Sequence, residues 1–220
     1  ENGLATYENR DSKNNITILD PAVGTGTFLI YAIQVALEEA KKISNTSYYL
    51  KEFIKNHILK NFYAFEIMIA PYVVSHLKTI FTLAEDNYTF SQNDSVNIYL
   101  TNTLELSERI LKGYFPGIFE QTLVTEQQNA YEVKNKIPIL IVIGNPPYSV
   151  SSQNKIDTKT EFGKFYESYK ENVRKEEKNI QPLSDDYIKF LAFAHFKISQ
   201  TGKGIIAMIT NNSFLDGIIH

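Results

Sequence analysis

The sequence predicts an α/β fold, a mostly parallel sheet with helices on both faces, and three observations predict it. Five short runs rich in aliphatic and β-branched residues alternate with longer segments of helical periodicity, the order that builds strand–helix–strand units. One run, Pro138 to Ile143, is aliphatic almost throughout, as a strand covered on both faces should be. Polar residues suited to ligand binding follow several of the runs directly, where open parallel sheets collect their ligands.

Residues 1–15, rich in Asn, Asp, Lys and Glu, read as a solvated lead-in. Ile16 to Leu19 is the first strand, stopped by Asp20-Pro21 because proline cannot continue strand pairing. From Thr27 apolar residues recur at Phe28, Ile33, Leu37 and Ala40, a helix that closes in Lys41-Lys42, cations suited to a helix C-terminus. Tyr49 to Leu59 reads as a second short helix, Phe62 to Glu66 as a second strand ending on a carboxylate, and Pro71 opens a helix to about Ala84. Val96 to Leu100 is the third strand. The stretch from Leu106 to Lys136 is expected to be irregular or partly helical, and Pro138 to Ile143 is a fourth strand, central in the sheet.

Ser149 to Lys178 is polar, with Phe162, Phe165, Tyr166 and Tyr169 at helical spacing, and reads as a partly ordered flap. Ser184 is the expected N-cap of a helix through Ile198, with Asp185 and Asp186 in its first turn. Gly202 ends that helix, and Gly204 to Ile209 is the fifth strand.

With 220 residues, 43% of them hydrophobic, the chain suits one catalytic domain over residues 1–220. It contains no cysteine, which removes disulfides and thiolate metal sites from consideration. No apolar run reaches membrane-spanning length and no basic stretch leads into an apolar core at Glu1, so a cytoplasmic protein with no membrane partner is expected. The missing initiator Met and the end at His220, soon after a strand-like run, lead us to expect a fragment of a longer polypeptide. A formal net charge of -3 opposes an extended phosphate-binding surface. If DNA is the substrate, most phosphate contacts must come from elsewhere.

The first strand runs into Asp20-Pro21-Ala22-Val23-Gly24-Thr25-Gly26-Thr27-Phe28. Gly24 and Gly26 let the backbone pass close to a ligand, but Leu29 stands where a dinucleotide fingerprint needs its third glycine. The carboxylate of Asp20 would repel a phosphate and attract an ammonium. S-adenosylmethionine carries an ammonium and a sulfonium and has no phosphate. By themselves the two glycines are equally consistent with a plain strand-to-helix turn. Glu66 closes the second strand, where a carboxylate accepts the ribose hydroxyls of a nucleoside. It lies well beyond the roughly twenty residues of a minimal unit, so an extra helix must be inserted. Asn102, after the third strand, is placed to face the cofactor's adenine ring, though Asn is also a common turn residue.

The most specific signal is Asn145-Pro146-Pro147-Tyr148, directly after the fourth strand. An amine conjugated with an aromatic ring is a poor nucleophile because its lone pair is delocalised. Two acceptors, the Asn145 side-chain oxygen and the Pro146 carbonyl, would each take one N–H bond and favour a more tetrahedral nitrogen. Pro146 and Pro147 fix φ and remove competing donors, so the acceptors are held in advance. Tyr148 offers a face for an extruded base, worth roughly 1–3 kcal/mol against an unstacking cost of a few kcal/mol.

Asp-Pro-Ala-Val-Gly-Thr-Gly-Thr-Phe followed by Asn-Pro-Pro-Tyr resembles the N6-adenine DNA methyltransferases of restriction-modification systems, with the cofactor motif preceding the catalytic one. The long insertions, and Asp186-Tyr187-Ile188-Lys189-Phe190 ahead of the fifth strand, look most like large single-chain enzymes that also carry nuclease and sometimes helicase domains. The resemblance spans Ile16 to about Asp216. It implies a Rossmann-like S-adenosylmethionine-dependent methyltransferase fold, with cofactor held by Asp20, Ala22, Gly24, Gly26, Glu66 and Asn102 and target adenine held by Asn145, Pro146, Pro147 and Tyr148. It also implies double-stranded DNA as partner, contacted through domains outside this chain. The family's upstream motif ending in Thr-Pro and its target-recognition domain are missing, which implies incomplete cofactor binding and poor DNA binding by these residues alone.

Two alternatives stay open. Asn-Pro-Pro-Tyr also occurs in the glutamine-amide methyltransferases that modify release factors, although those are compact and lack long insertions such as Glu105 to Lys136. A non-catalytic nucleotide-binding or DNA-specificity module is the other. His57, His76, His195 and His220 lack metal-ligand spacing and read as structural, so no metal is expected. Ser149, Ser151 and Ser152 lack a nucleophile-elbow context, and the charges from Lys155 to Lys178 mix signs as a solvated surface does.

Overall fold

The computed structural model describes residues 15–106, 118–148, 154–176 and 180–210. Five parallel strands form one sheet in the order β3-β2-β1-β4-β5: β1 (Ile18–Asp20), β2 (Phe62–Glu66), β3 (Asn97–Leu100), β4 (Ile141–Gly144) and β5 (Ile205–Met208). The expected α/β class is what the chain adopts, and β4 lies inside the sheet between β1 and β5. The order reverses at β1, so β1 and β4 flank the switch point where ligands collect in such sheets.

Alternation along the strands divides the interior in two. Ile18, Phe62, Ala64 and Ile98 pack with α1 (Thr27–Ile43) and α2 (Ser47–Phe53). Leu19, Tyr63, Phe65, Tyr99 and Val142 pack with α5 (Ile118–Asn135), α6 (Glu161–Glu176) and α7 (Asp186–Thr201). The inserted helical segment expected before β2 is α2, which continues through a wider π-type turn (Ile54–Ile58) into α3 (Leu59–Asn61). His57 is fully buried in that turn, beside the rings of Phe53 and Phe62, and His76 bonds the Ile98 carbonyl at 3.0 Å. Among the described residues no group of His, Asp and Glu could hold a metal, and no helix is long and apolar enough to cross a membrane.

α4 (Ile69–Glu85) turns Ser75, Thr79 and Leu83 inward and leaves Ile69, Val73, Leu77 and Phe81 exposed. The small Ser75 lets this helix come close to the glycine loop. A Cβ on Gly26 would lie 3.4 Å from the Cα of Ser75 and 2.9 Å from the Cδ1 of Ile30.

Two expectations are corrected, and a third, left open, is resolved. The segment expected to be a flap contains α6, and its Phe162 and Tyr166 are buried in the second core, so the aromatic spacing marked a packed helix. The N-cap of α7 is Asp185, whose side chain accepts from Tyr187 N, while Ser184 belongs to the 3-10 turn before it (Gln181–Ser184). Within the stretch left between irregular and helical, Ile118–Asn135 is one continuous helix; residues 107–117 lie outside the described residues. Ser149, Ser151, Ser152 and His220, like residues 211–216 of the resemblance, also lie outside them.

Candidate active site

Because the strands are parallel, the residues singled out at their carboxyl ends all gather at one edge of the sheet. Asp20 ends β1, Glu66 ends β2, Asn102 follows β3, and Gly144 ends β4 and leads into Asn145.

Short bonds stitch the loops after β1, β2 and β3 together. Ala22 N donates to Asp20 Oδ1 at 3.1 Å, and Val23 N to the Phe65 carbonyl at 3.0 Å. Gly24 and Gly26 take φ of +54° and +92°, left-handed values that favour glycine, and Gly26 opens α1 with no side chain over its first amides. Glu66 is the organiser of this edge: Oε2 accepts from Gly24 N at 2.8 Å, while Oε1 accepts from Ile67 N and Met68 N, each at 2.8 Å. The carboxylate expected to face a ribose thus also builds the loop that would hold the rest of the nucleoside. Of the roughly four acceptor sites of a carboxylate, these amides leave one, on Oε2.

Asp20 is fully buried, and its Oδ2 has no hydrogen-bond partner. Burial raises its pKa to about 7, opposed by the bond from Ala22 and reinforced by the charge of Glu66. An unpartnered carboxylate oxygen at the strand end that leads into the glycine loop is suited to a cationic ligand and not to a phosphate. The residues present therefore fit a cofactor with an amino acid ammonium and no phosphate.

The Asn145 side chain is exposed and Pro146 buried. The Tyr148 hydroxyl lies 2.6 Å from Asn145 Oδ1 and 3.0 Å from the Ile209 carbonyl. Its ring is 46% exposed, with its centroid 6.3 Å from that of the buried Tyr187. The oxygen expected to accept an amine proton is therefore the nearer of two acceptors within reach of the single Tyr148 O–H. Asn145 adjoins the glycine loop, since Gly144 packs directly on Asp20.

Asn102 sits at the same edge, with Oδ1 accepting from Leu104 N at 3.1 Å and Nδ2 donating to Asn154 Oδ1 at 3.2 Å. Sequence reasoning missed what lies behind it. Asn154 donates on to Asp186 at 3.2 Å, and Lys189 Nζ donates to the Asn154 carbonyl at 2.7 Å, tying the loop after β3 to the start of α7. Lys134 of α5 donates to Thr101 Oγ1 and to the carbonyls of Asn102 and Glu105. Burial lowers the pKa of Lys134 to about 7, with the Glu105 charge opposing. The one available signal was the i,i+3 pair Asp186 and Lys189; nothing local marked Asn154 or Lys134.

A parallel sheet with its switch point at β1, a glycine loop headed by the buried Asp20, and an Asn-Pro-Pro-Tyr turn that leaves the neighbouring strand beside it are the features of a methyltransferase-type domain. Comparison with known proteins agrees. The model of the MmeI DNA-methyltransferase domain family matches residues 3–219, and the chain belongs to that family, the methyltransferase domains of restriction-modification enzymes. The chain is similar to the ATP-dependent Type ISP restriction-modification enzyme LlaBIII, solved bound to DNA, with TM-score 0.67 and 28% identity over 94% of this chain and 13% of that one. It shares its fold with a nuclease-deletion mutant of the Type ISP enzyme LlaGI, solved with a DNA substrate mimic: TM-score 0.67 and 22% identity over 90% of this chain and 16% of that one. It also shares it with DrdV, solved as a DNA complex, at TM-score 0.64 and 24% identity over 93% of this chain and 18% of that one. The chain therefore spans less than a fifth of the length of these proteins. No curated protein matches it.

Proposed function

We propose that this domain transfers a methyl group from S-adenosylmethionine to the exocyclic amine of an adenine flipped out of duplex DNA. The observation that supports the reading is the close packing of Gly144, the residue before Asn145, on Asp20, which would set an amine-binding turn beside a carboxylate suited to a cation.

Asp20, Ala22, Gly24, Gly26, Glu66 and Asn102 would hold the cofactor, which when bound supplies an electrophilic methyl on a sulfonium with a neutral thioether as leaving group. Asn145 Oδ1 and the Pro146 carbonyl accept the two N–H bonds of the target amine and draw its lone pair out of the ring. Pro146 and Pro147 keep both acceptors in place, so little reorganisation accompanies the reaction. The amine so held would present its lone pair toward the methyl group that the cofactor supplies, and its surplus proton would leave to water. The Tyr148 ring stacks on the extruded base, and its hydroxyl must release Asn145 Oδ1 or share it, since a carbonyl oxygen has two lone pairs.

With a net charge of -3 the domain holds duplex DNA with help from other parts of a longer polypeptide, where nuclease or helicase domains would also reside. Methylation of a release-factor glutamine is the less favoured reading, because the family match is to DNA methyltransferases. The test is transfer of labelled methyl from S-adenosylmethionine to unmethylated duplex DNA, followed by mass spectrometry of the nucleosides. N6-methyladenine is the expected product. Label in cytosine, or in a release-factor protein and not in DNA, would reject the proposal.

A further inference from the structure

β3 is the edge strand on the cofactor side, and α5 grips both it and the loop that follows. Glu126 Oε1 accepts from Leu100 N at 2.7 Å, on the last residue of the strand. Two turns further along α5, the Lys134 ammonium is only 3% exposed and reaches Thr101 Oγ1 at 2.7 Å, the Asn102 carbonyl at 2.7 Å and the Glu105 carbonyl at 3.0 Å. Its Nζ also stands 5.4 Å from the centre of the Phe65 ring. Three N–H bonds from one nitrogen to three points on a single loop leave that loop one conformation. Burying an ammonium is costly, and here its acceptors all belong to the segment carrying Asn102. The same segment closes onto the glycine loop, because Thr103 Oγ1 donates to the Pro21 carbonyl.

Lys197 provides an internal comparison. It is fully buried and donates toward the carbonyls of Val133 and Lys134, orphaned in the last turn of α5, and of Ile137 just beyond it, all within 3.0 Å. Both lysines are buried, both satisfy main-chain oxygens and both belong to the second core. Only Lys134 reaches a segment that carries a cofactor residue.

We propose that Lys134 is a positioning residue for S-adenosylmethionine, holding the 101–106 loop so that Asn102 meets the adenine end of the cofactor. The proposal rests on the cofactor reading above. It gives the inserted α5 a task in that site, bracing the outer wall of the nucleoside pocket from behind.

The experiment compares the full-length protein, as the parent, with its Lys134→Met, Thr101→Val and Lys197→Met variants. Calorimetry measures the Kd for S-adenosylmethionine and for S-adenosylhomocysteine, circular dichroism measures Tm, and amide hydrogen exchange follows residues 101–106. Lys134→Met should weaken both ligands about tenfold or more, the loss expected of about 1.4 kcal/mol of lost hydrogen bonding, and should speed exchange across 101–106. Thr101→Val, which removes one acceptor and keeps the lysine, should weaken them about two- to fivefold without unfolding. Lys197→Met should lower Tm while leaving Kd within about twofold. Equal affinity losses in the Lys134 and Lys197 variants, or unchanged affinity in both Lys134→Met and Thr101→Val, would reduce Lys134 to ordinary packing and overturn the inference. A parent chain that binds neither ligand overturns the cofactor reading itself, an outcome distinct from parent binding that the variants leave untouched.

Discussion

Gly144 packs directly on Asp20, although the two residues lie in different halves of the chain. A Cβ placed on Gly144 would lie 2.8 Å from Asp20 Oδ1 and 3.6 Å from its Cγ. Each is the last residue of its strand, so the contact sets the start of the glycine loop beside the start of the Asn-Pro-Pro-Tyr turn. Gly144→Ala should push the carboxylate aside or spread the loops, lowering stability by about 1–3 kcal/mol and methyl transfer more than about tenfold. Thermal unfolding and the methylation assay test this. A variant with parental Tm and rate would mean that the loops tolerate separation.

On the proposed reading Asn145→Ala removes one of two acceptors for the amine, and it touches none of the hydrogen bonds that build the glycine loop. Methyl transfer should fall by about two to three orders of magnitude, as when one preorganised polar group is lost, with cofactor Kd nearly unchanged. If both fall together, Asn145 is a structural residue.

The hydroxyl and the ring of Tyr148 make separable contributions. Tyr148→Phe keeps the stacking face and releases Asn145 Oδ1, so methyl transfer should stay within about threefold of the parent. Tyr148→Ala loses roughly 1–3 kcal/mol of stacking, and the rate on duplex DNA should fall about tenfold or more. Mismatching the target adenine should restore part of that loss by reducing the cost of extrusion. Equal rates for the two variants would remove the ring from the mechanism.

Asp20 supplies a pH dependence with a definite sign. Its folded pKa of about 7 lies above the unfolded value of 3.8, so the folded chain binds more protons and stability falls as pH rises from about 4 to about 7. Asp20→Asn should therefore be the more stable chain at pH 8, by about 1–3 kcal/mol, measured as urea midpoints. A cationic cofactor favours the ionised carboxylate, so its affinity should rise through pH 6–7 with proton release, seen in calorimetry across buffers of different ionisation enthalpy. Affinity that is flat in pH, with no proton released, would detach Asp20 from the cofactor's charge.

Strand alternation places Ile18 and Leu19 on opposite faces, and β1, β2 and β4 end where proline, a carboxylate or glycine stops them, within one residue of the pattern, although β1 and β4 start two and three residues later than it. The misreadings arose where two states share a local pattern. Phe162 and Tyr166 at helical spacing among charges describe a loose flap as well as a packed helix, and only the neighbouring Phe193 and Phe196 decide between them. Ser184 and Asp185 are both good caps, and the turn before α7 selects the second.

By itself the sequence determined the fold class, the order of strands and helices along the chain, and the identity of the residues at the strand ends. All of these follow from periodicity, proline and glycine acting over a few positions. Tertiary structure alone decided that Asp20 Oδ2 is left without a partner, that Glu66 holds the glycine loop, that Tyr148 takes the Asn145 oxygen, and that Lys134 secures the loop after β3. Burial and hydrogen-bond partnership between residues far apart in the chain depend on where packed helices deliver side chains, which no local pattern encodes.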